Sequence, residues 1–219
     1  MVQTKTRFKN FAEYAAADPS ELPEGHYELV DGDIVEMGAE NDENIQISIF
    51  LILMLAQVVP HYLIRRGTEI AVPSRLVTSR YPDLMILTEA TRAAMKRDQR
   101  SLISLEMPAP KSVVEVVSPG NLGSANYDRD YVKKPQEYAA RGISEYWLID
   151  PAREVILLHL LGDGQYQVTE FRGNQLIESL GFESLLFRPV ILACLCLVLL
   201  KKIAWVGKFT SYNSRLVSG

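Results

Sequence analysis

Three residues in this chain have types and neighbours that point to chemistry. Glu115 lies in Ser112-Val113-Val114-Glu115-Val116-Val117, with two valines on either side. An ionised carboxylate in so apolar a run needs a cation, a hydrogen-bond donor or an exposed sheet edge. Asp83 follows Pro82 at the head of another apolar run, Tyr81-Pro82-Asp83-Leu84-Met85-Ile86-Leu87. Two carboxylates on neighbouring strand ends would make a hard-oxygen site suited to Mg²⁺. The third residue is Lys134, which precedes Pro135 in Asp128-Arg129-Asp130-Tyr131-Val132-Lys133-Lys134-Pro135. Proline disfavours the α conformation in the residue before it and is best tolerated at the first turn of a helix. Lys134 is therefore expected at a helix N-terminus, where a phosphate would be favoured. The alternative is an Asp130–Lys134 ion pair on a solvated helix face.

Other catalytic signatures are missing. Gly120-Asn121-Leu122-Gly123-Ser124 has neither the lysine of a phosphate-cradling loop nor a dinucleotide fingerprint, and reads as a loop after a strand. His26, His61 and His159 share no spacing suited to a metal or a triad, and Cys194-Leu195-Cys196 supplies half a structural zinc site at most. Those cysteines read as buried members of an apolar run.

The elements that must position these groups follow from periodicity and turn residues. Phe8 to Ala17 reads as a short helix, and Tyr27 to Met37 as a hairpin turning at Asp31-Gly32. Asn44 to Leu63 is the best helix candidate, with Ile45, Ile49, Ile52, Leu53 and Ala56 at helical spacing. Thr68 to Pro73, Tyr81 to Leu87 and Ser112 to Val117 read as strands. The charged stretch Glu89 to Arg97 includes a helical turn, and Asp128 to Arg141 is a second helical region stopped by Gly142. Glu145 to Asp150, Val155 to Leu161 and Tyr166 to Arg172 complete the strands, the last two joined at Asp163-Gly164. The order predicts an α/β (α+β) domain on one central sheet.

Taken together, these residues resemble the PD-(D/E)XK nuclease superfamily, and within it the Uma-type branch of restriction-endonuclease-like proteins. The resemblance rests on Tyr27-Glu28-Leu29-Val30-Asp31-Gly32, Tyr81-Pro82-Asp83-Leu84, Val113 to Pro119, Lys134 with Glu137 to Gly142, and Glu145-Tyr146-Trp147-Leu148-Ile149-Asp150-Pro151. It covers about Phe8 to Phe187 and implies a restriction-endonuclease-like mixed β-sheet flanked by helices. By this resemblance Asp83 and Glu115 are metal-binding carboxylates, the Val116 carbonyl is a further ligand, and Mg²⁺ is the cofactor, with Mn²⁺ as a substitute. In the wider superfamily the lysine lies two residues after the glutamate, a position held here by Val117; in this branch the helix supplies it, as Lys134. Glu28 matches an acidic residue that supports the site, and otherwise reads as a hairpin surface charge. Where many relatives carry a histidine ahead of the first long helix, this chain has Asn41-Asp42-Glu43-Asn44.

The implied activity is metal-dependent endonucleolytic hydrolysis of DNA, leaving 5′-phosphate and 3′-hydroxyl ends. Two other classes stand beside it: a non-catalytic nucleic-acid- or protein-binding module on the same fold, and a small-molecule phosphoesterase. Cutting two strands takes two sites, which points to a homodimer.

The 219 residues hold 23 basic and 27 acidic side chains, a net charge of −4. With 47% apolar residues, a wholly disordered chain is excluded, and the mild acidity removes the signature of a strongly basic nucleic-acid binder. Local basic density matters more than the sum, and Arg65-Arg66, Arg75, Arg80, Arg129 and Lys133-Lys134 would supply a patch. Charge divides the chain into a domain, 1–187, at −9, and a tail, 188–219, with five basic residues and no acidic one. The tail's uncharged run, Val190 to Leu200, is eleven residues long, against about twenty needed to span a bilayer as a helix. With a polar start and no signal-peptide core, the chain is expected to be soluble and cytoplasmic.

Overall fold

Strand β1 (Tyr27–Val30) turns into β2 (Asp33–Glu36) over two residues with left-handed backbone, Asp31 at φ 48° and Gly32 at φ 91°. This geometry matches the right-handed twist of the flanking strands. Gly32 is needed for a second reason: a Cβ there would lie 2.4 Å from the Phe8 carbonyl oxygen. The coordinates are a computed structural model that describes residues 7–95, 101–118, 120–179 and 186–187. The tail 188–219, including Cys194 and Cys196, lies outside the described residues, as do Lys96 and Arg97.

After α1 (Phe11–Ala15) and the first hairpin comes α2 (Asp42–Leu55), capped by the Asn41 side chain, which accepts from the Glu43 N–H. It ends eight residues earlier than its apolar pattern predicts, and His61–Leu63 forms a separate 3₁₀ turn after Pro60. Pro60 disfavours helix at Val59. The buried face is also not the expected one. Ile47, Leu51 and Leu55 are buried, whereas Ile49 and Leu53 are 46% and 63% exposed. The helix is apolar on nearly every side, so periodicity alone could not select the face.

The strands that follow are β3 (Ile64–Arg65), β4 (Glu69–Val72), β5 (Thr78–Arg80) and β6 (Leu84–Ile86), then helix α3 (Glu89–Met95), β7 (Leu102–Ile103) and β8 (Ser112–Val116). A helical run comes next: α4 (Ala125–Tyr127), a π-helical turn (Asp128–Lys133) and α5 (Lys134–Ala140). It is followed by β9 (Glu145–Asp150), β10 (Val155–Gly162) and β11 (Gln165–Arg172), and by the short pair β12 (Ile177–Glu178) and β13 (Leu186–Phe187). The α/β class with mixed sheets and flanking helices is as expected, but the strands divide between two larger sheets rather than one. One has the order β2-β1-β5-β4-β7 and the other β11-β10-β9-β8-β6-β3. Two of the chain's changes of sheet are tight corners, Arg66–Thr68 between β3 and β4 and Tyr81–Asp83 between β5 and β6. Pro82 cannot donate a ladder hydrogen bond, and Gly67 takes φ 75° at the other corner.

Side-chain alternation along β8 distributes the core. Val114 and Val116 pack with Ile47, Leu51 and Leu55 of α2 and with Trp147. Val113 and Val117 lie on the opposite face with Tyr138 of α5, Tyr146 and Leu148. Glu115 shares that second face, so it points at α5. The parallel pairing of β8 with β9, Glu115 opposite Leu148, fixes this register; a one-residue slip would turn Glu115 toward α2.

Candidate active site

Each predicted residue reaches one cleft of about 910 Å³, whose lining includes Glu28, Asp83, Glu115, Val116 and Lys134. Glu28 comes from β1, Asp83 from the corner between the sheets, Glu115 and Val116 from β8, and Lys134 from the helical run. The sequence separations are long, and the sheets bring the groups together.

Glu115 is 4% exposed and both its oxygens are engaged from α5. Lys134 Nζ donates to Oε2 at 2.8 Å and the Tyr138 hydroxyl donates to Oε1 at 2.5 Å. These two donors are one helical turn apart, which explains how a carboxylate is tolerated between valines. Lys134 itself, 3% exposed, also lies 3.3 Å from Asp130 Oδ1 and 3.7 Å from Glu28 Oε1. The Asp130–Lys134 pair exists, but it is buried rather than on a solvated face.

Lys134 is not at a free helix N-terminus either. Helix runs continuously from Ala125, and a π turn precedes Lys134. Pro135 has no N–H to give to a regular α ladder, and a π turn is a common accommodation of such a defect. The lysine therefore acts through its side chain, without the free backbone N–H groups of a helix start.

Asp83 is fixed by the backbone. Its Oδ2 accepts from the Val116 N–H at 2.6 Å, tying the sheet corner to β8. The Val116 carbonyl accepts from Asn44 Nδ2 at 3.2 Å. Asn44, buried near the start of α2, is a neighbour of the site that its place in a helix start does not reveal. Glu28, 2% exposed, is no surface charge: Arg80 Nη1 donates to its Oε2 at 2.7 Å. Arg80 also grips both oxygens of Glu137 on α5 at 2.7 Å. Arg80 is thus buried and fully paired and drops out of the predicted phosphate-binding patch. Arg66 and Lys133 are exposed on the cleft lining, and Arg129 lines it while holding Asp130 in a bidentate pair.

The electrostatics follow from this packing. Burial pushes Asp83 up to about 6, against the pull of the Val116 N–H and Lys134. Burial likewise pushes Glu115 up to about 7, opposed by Lys134 and reinforced by the charges of Asp83, Glu28 and Asp130. At Glu28 burial also works upward, but Lys134 and Arg80 outweigh it and hold the group below the ordinary carboxylate range. Lys134 is raised: burial opposes its charge, and Glu115, Glu28 and Asp130 more than restore it. It remains an ammonium ion at neutral pH.

The two raised carboxylates carry a pH signature. Their folded values lie above the ordinary 3.8 and 4.5. The stability they contribute is therefore fully present below those ordinary values and is lost as pH rises through about 6 and about 7. Without metal, the melting temperature should fall between about pH 4 and pH 7, and the Asp83→Asn/Glu115→Gln double variant should fall less. Equal slopes for the two proteins would remove these carboxylates as the cause. Glu28, lowered, acts the other way and loses its contribution only in acid.

Among the described residues, no group of three or more His, Cys, Asp or Glu side chains is placed to hold a metal unaided. The donor set fits Mg²⁺ all the same. It offers two hard carboxylates whose oxygens keep further lone pairs beside their present hydrogen bonds, plus a carbonyl with a second lone pair, and Mg²⁺ commonly keeps several waters.

Comparison with known proteins agrees with this architecture. The sequence model of the Uma2 family, described as "Putative restriction endonuclease", matches residues 11–190. The fold is similar to the crystal structure of a "putative nuclease belonging to DUF820" from Anabaena variabilis ATCC 29413. The TM-score is 0.63 at 17% identity, over 83% of this chain and 96% of that one. No curated protein matches the sequence. Among the described residues, no helix is long and apolar enough to cross a membrane.

Proposed function

Because this chain belongs to the Uma2 family, whose sequence model matches residues 11–190, we propose that it is a Mg²⁺-dependent endonuclease acting on DNA. The observation that carries the reading is the pairing of Lys134 with Glu115 at 2.8 Å in the cleft that Asp83 also lines. A carboxylate pair beside a permanent ammonium group is what phosphodiester hydrolysis asks for.

Asp83, Glu115 and the Val116 carbonyl would hold the cation, with Mn²⁺ as a substitute. Bound there, it would polarise a phosphoryl oxygen and lower the pKa of a water ligand. The remaining work belongs to the chain. Lys134, kept charged by its three carboxylate neighbours, serves as a donor and not as a base. It orients the attacking water and offsets charge growing on the phosphoryl oxygens. Glu28 and Asp130 hold Lys134, and Arg80 holds Glu28. Arg66 and Lys133 face the strand's other phosphates. Double-strand cutting of a duplex would take a homodimer, and a DNA substrate is consistent with a cytoplasmic protein.

Purified protein should nick plasmid or cut single-stranded DNA with Mg²⁺ or Mn²⁺ and be inert in EDTA. Asp83→Ala and Glu115→Ala should each abolish cleavage and leave the circular dichroism spectrum unchanged. Wild-type cleavage by both variants would defeat the assignment. Calorimetric titration with Mg²⁺ separates this from a non-catalytic module, which would bind DNA but show no Mg²⁺ heat dependent on Asp83 and Glu115.

A further inference from the structure

The cleft has a second wall that the hydrolytic groups do not use. His26 and Tyr81 line it, with ring centroids 5.2 Å apart and planes at 89°, edge to face. In such a pair one ring's edge meets one face of the other, so that contact leaves other ring faces unused. His26 is exposed and Tyr81 half-buried. Tyr81 is held from both sides. Its N–H points at Glu28 Oε1 at 3.4 Å, and Pro82 follows it into the sheet corner. Next to it lies Gly67, where a Cβ would stand 3.1 Å from the Tyr81 hydroxyl oxygen, and then Arg66, paired with Glu40. The wall thus runs from two aromatic rings across bare backbone to a guanidinium group.

Tyr81 is two residues from Asp83 in the chain and lines the same cleft, so a base stacked there would share the cleft with the reacting phosphate. Glu115 and Lys134, 4% and 3% exposed, lie at the cleft floor. A phosphate reaches such a floor more readily when its nucleotide is unpaired, since a stacked base holds the backbone to the duplex surface. Aromatic rings beside cationic groups are the usual means of holding unpaired nucleotides without reading their sequence.

Resting on the DNA-hydrolase reading above, we propose that Tyr81 and His26 form a stacking subsite for an unpaired base. The preferred substrate is then single-stranded DNA, or an unpaired nucleotide within a longer duplex. On such a substrate one site suffices, and no dimer is required.

The test is fluorescence anisotropy in EDTA, with an oligonucleotide of about 12 residues offered single-stranded and as a duplex of the same sequence. The single strand should bind about tenfold more tightly. Tyr81→Leu should lose about tenfold for the single strand, the effect of one base–aromatic contact, and little for the duplex. Tyr81→Trp should retain binding, and His26→Ala, at an exposed position, should lose a few-fold without risk to folding. Duplex preference, or equal losses for both forms, would overturn the subsite and leave the hydrolase reading standing. Failure of the wild type to bind either form would instead overturn the DNA reading itself.

Discussion

Lys134→Met is expected to lose cleavage by at least about a hundredfold, the scale of removing one electrostatic stabiliser of the transition state, and yet to bind Mg²⁺ more tightly than the wild type. The two effects have one cause. In the native protein the ammonium group neutralises a pocket of carboxylates, at 2.8 Å from Glu115, 3.3 Å from Asp130 and 3.7 Å from Glu28. With methionine there, Glu28 keeps Arg80 and Asp130 keeps Arg129, but Glu115 loses the cation that pairs it, a situation that costs roughly 3–5 kcal/mol when one partner of a buried pair is removed. A divalent cation relieves it. The variant should therefore melt well below wild type in EDTA and recover most of the difference as Mg²⁺ is added, because a ligand that binds only the folded state stabilises it. Calorimetric titration and melting curves at several Mg²⁺ concentrations measure both halves. Lost cleavage together with weaker Mg²⁺ binding would instead place Lys134 among the groups that build the cation site.

The second large effect belongs to Arg80, a residue with no direct part in the reaction. It is 1% exposed, and three of its nitrogens hold two carboxylates on different elements: Glu28 on β1 and Glu137 on α5. Arg80→Met should destabilise the protein by roughly 3–5 kcal/mol, since Glu28 is left buried with its main partner gone. Urea unfolding measures this directly. Adding Glu28→Gln to the same chain should recover part of the loss, because the stranded charge is removed along with its counter-ion. A single variant that unfolds within about 1 kcal/mol of wild type would mean that water reaches Glu28 freely.

Much of this site was legible before any fold was known, and the reason is chemical conflict. Glu115 among valines and Lys134 before a proline both break local rules, and local rules are broken where something else holds the residue. The Asp31-Gly32 and Asp163-Gly164 turns were legible because both residues of each take left-handed backbone. What stayed hidden obeys local rules and is decided at long range. Arg80 follows Thr78-Ser79 and reads as one more surface cation; only Glu28 and Glu137, 52 and 57 residues away, make it a core residue. Asn44 looks like part of a helix start until Val116, 72 residues on, accepts its side-chain amide. The face of α2 was misread for the opposite reason, an excess of apolar residues rather than a lack of signal.

The corner Arg80-Tyr81-Pro82-Asp83 has a consequence of its own. Within four residues it delivers a structural cation to one sheet and a candidate metal ligand to the other, so it works as a spacer. Its length matters more than the identity of its middle residues. Replacing Tyr81 should change what the cleft holds, whereas inserting or deleting one residue should exchange inside for outside on β5 or β6 and separate the site into two unconnected halves. Among the segments around the cleft, this is the stretch where loop-length engineering should fail first, although it is not a regular element at all.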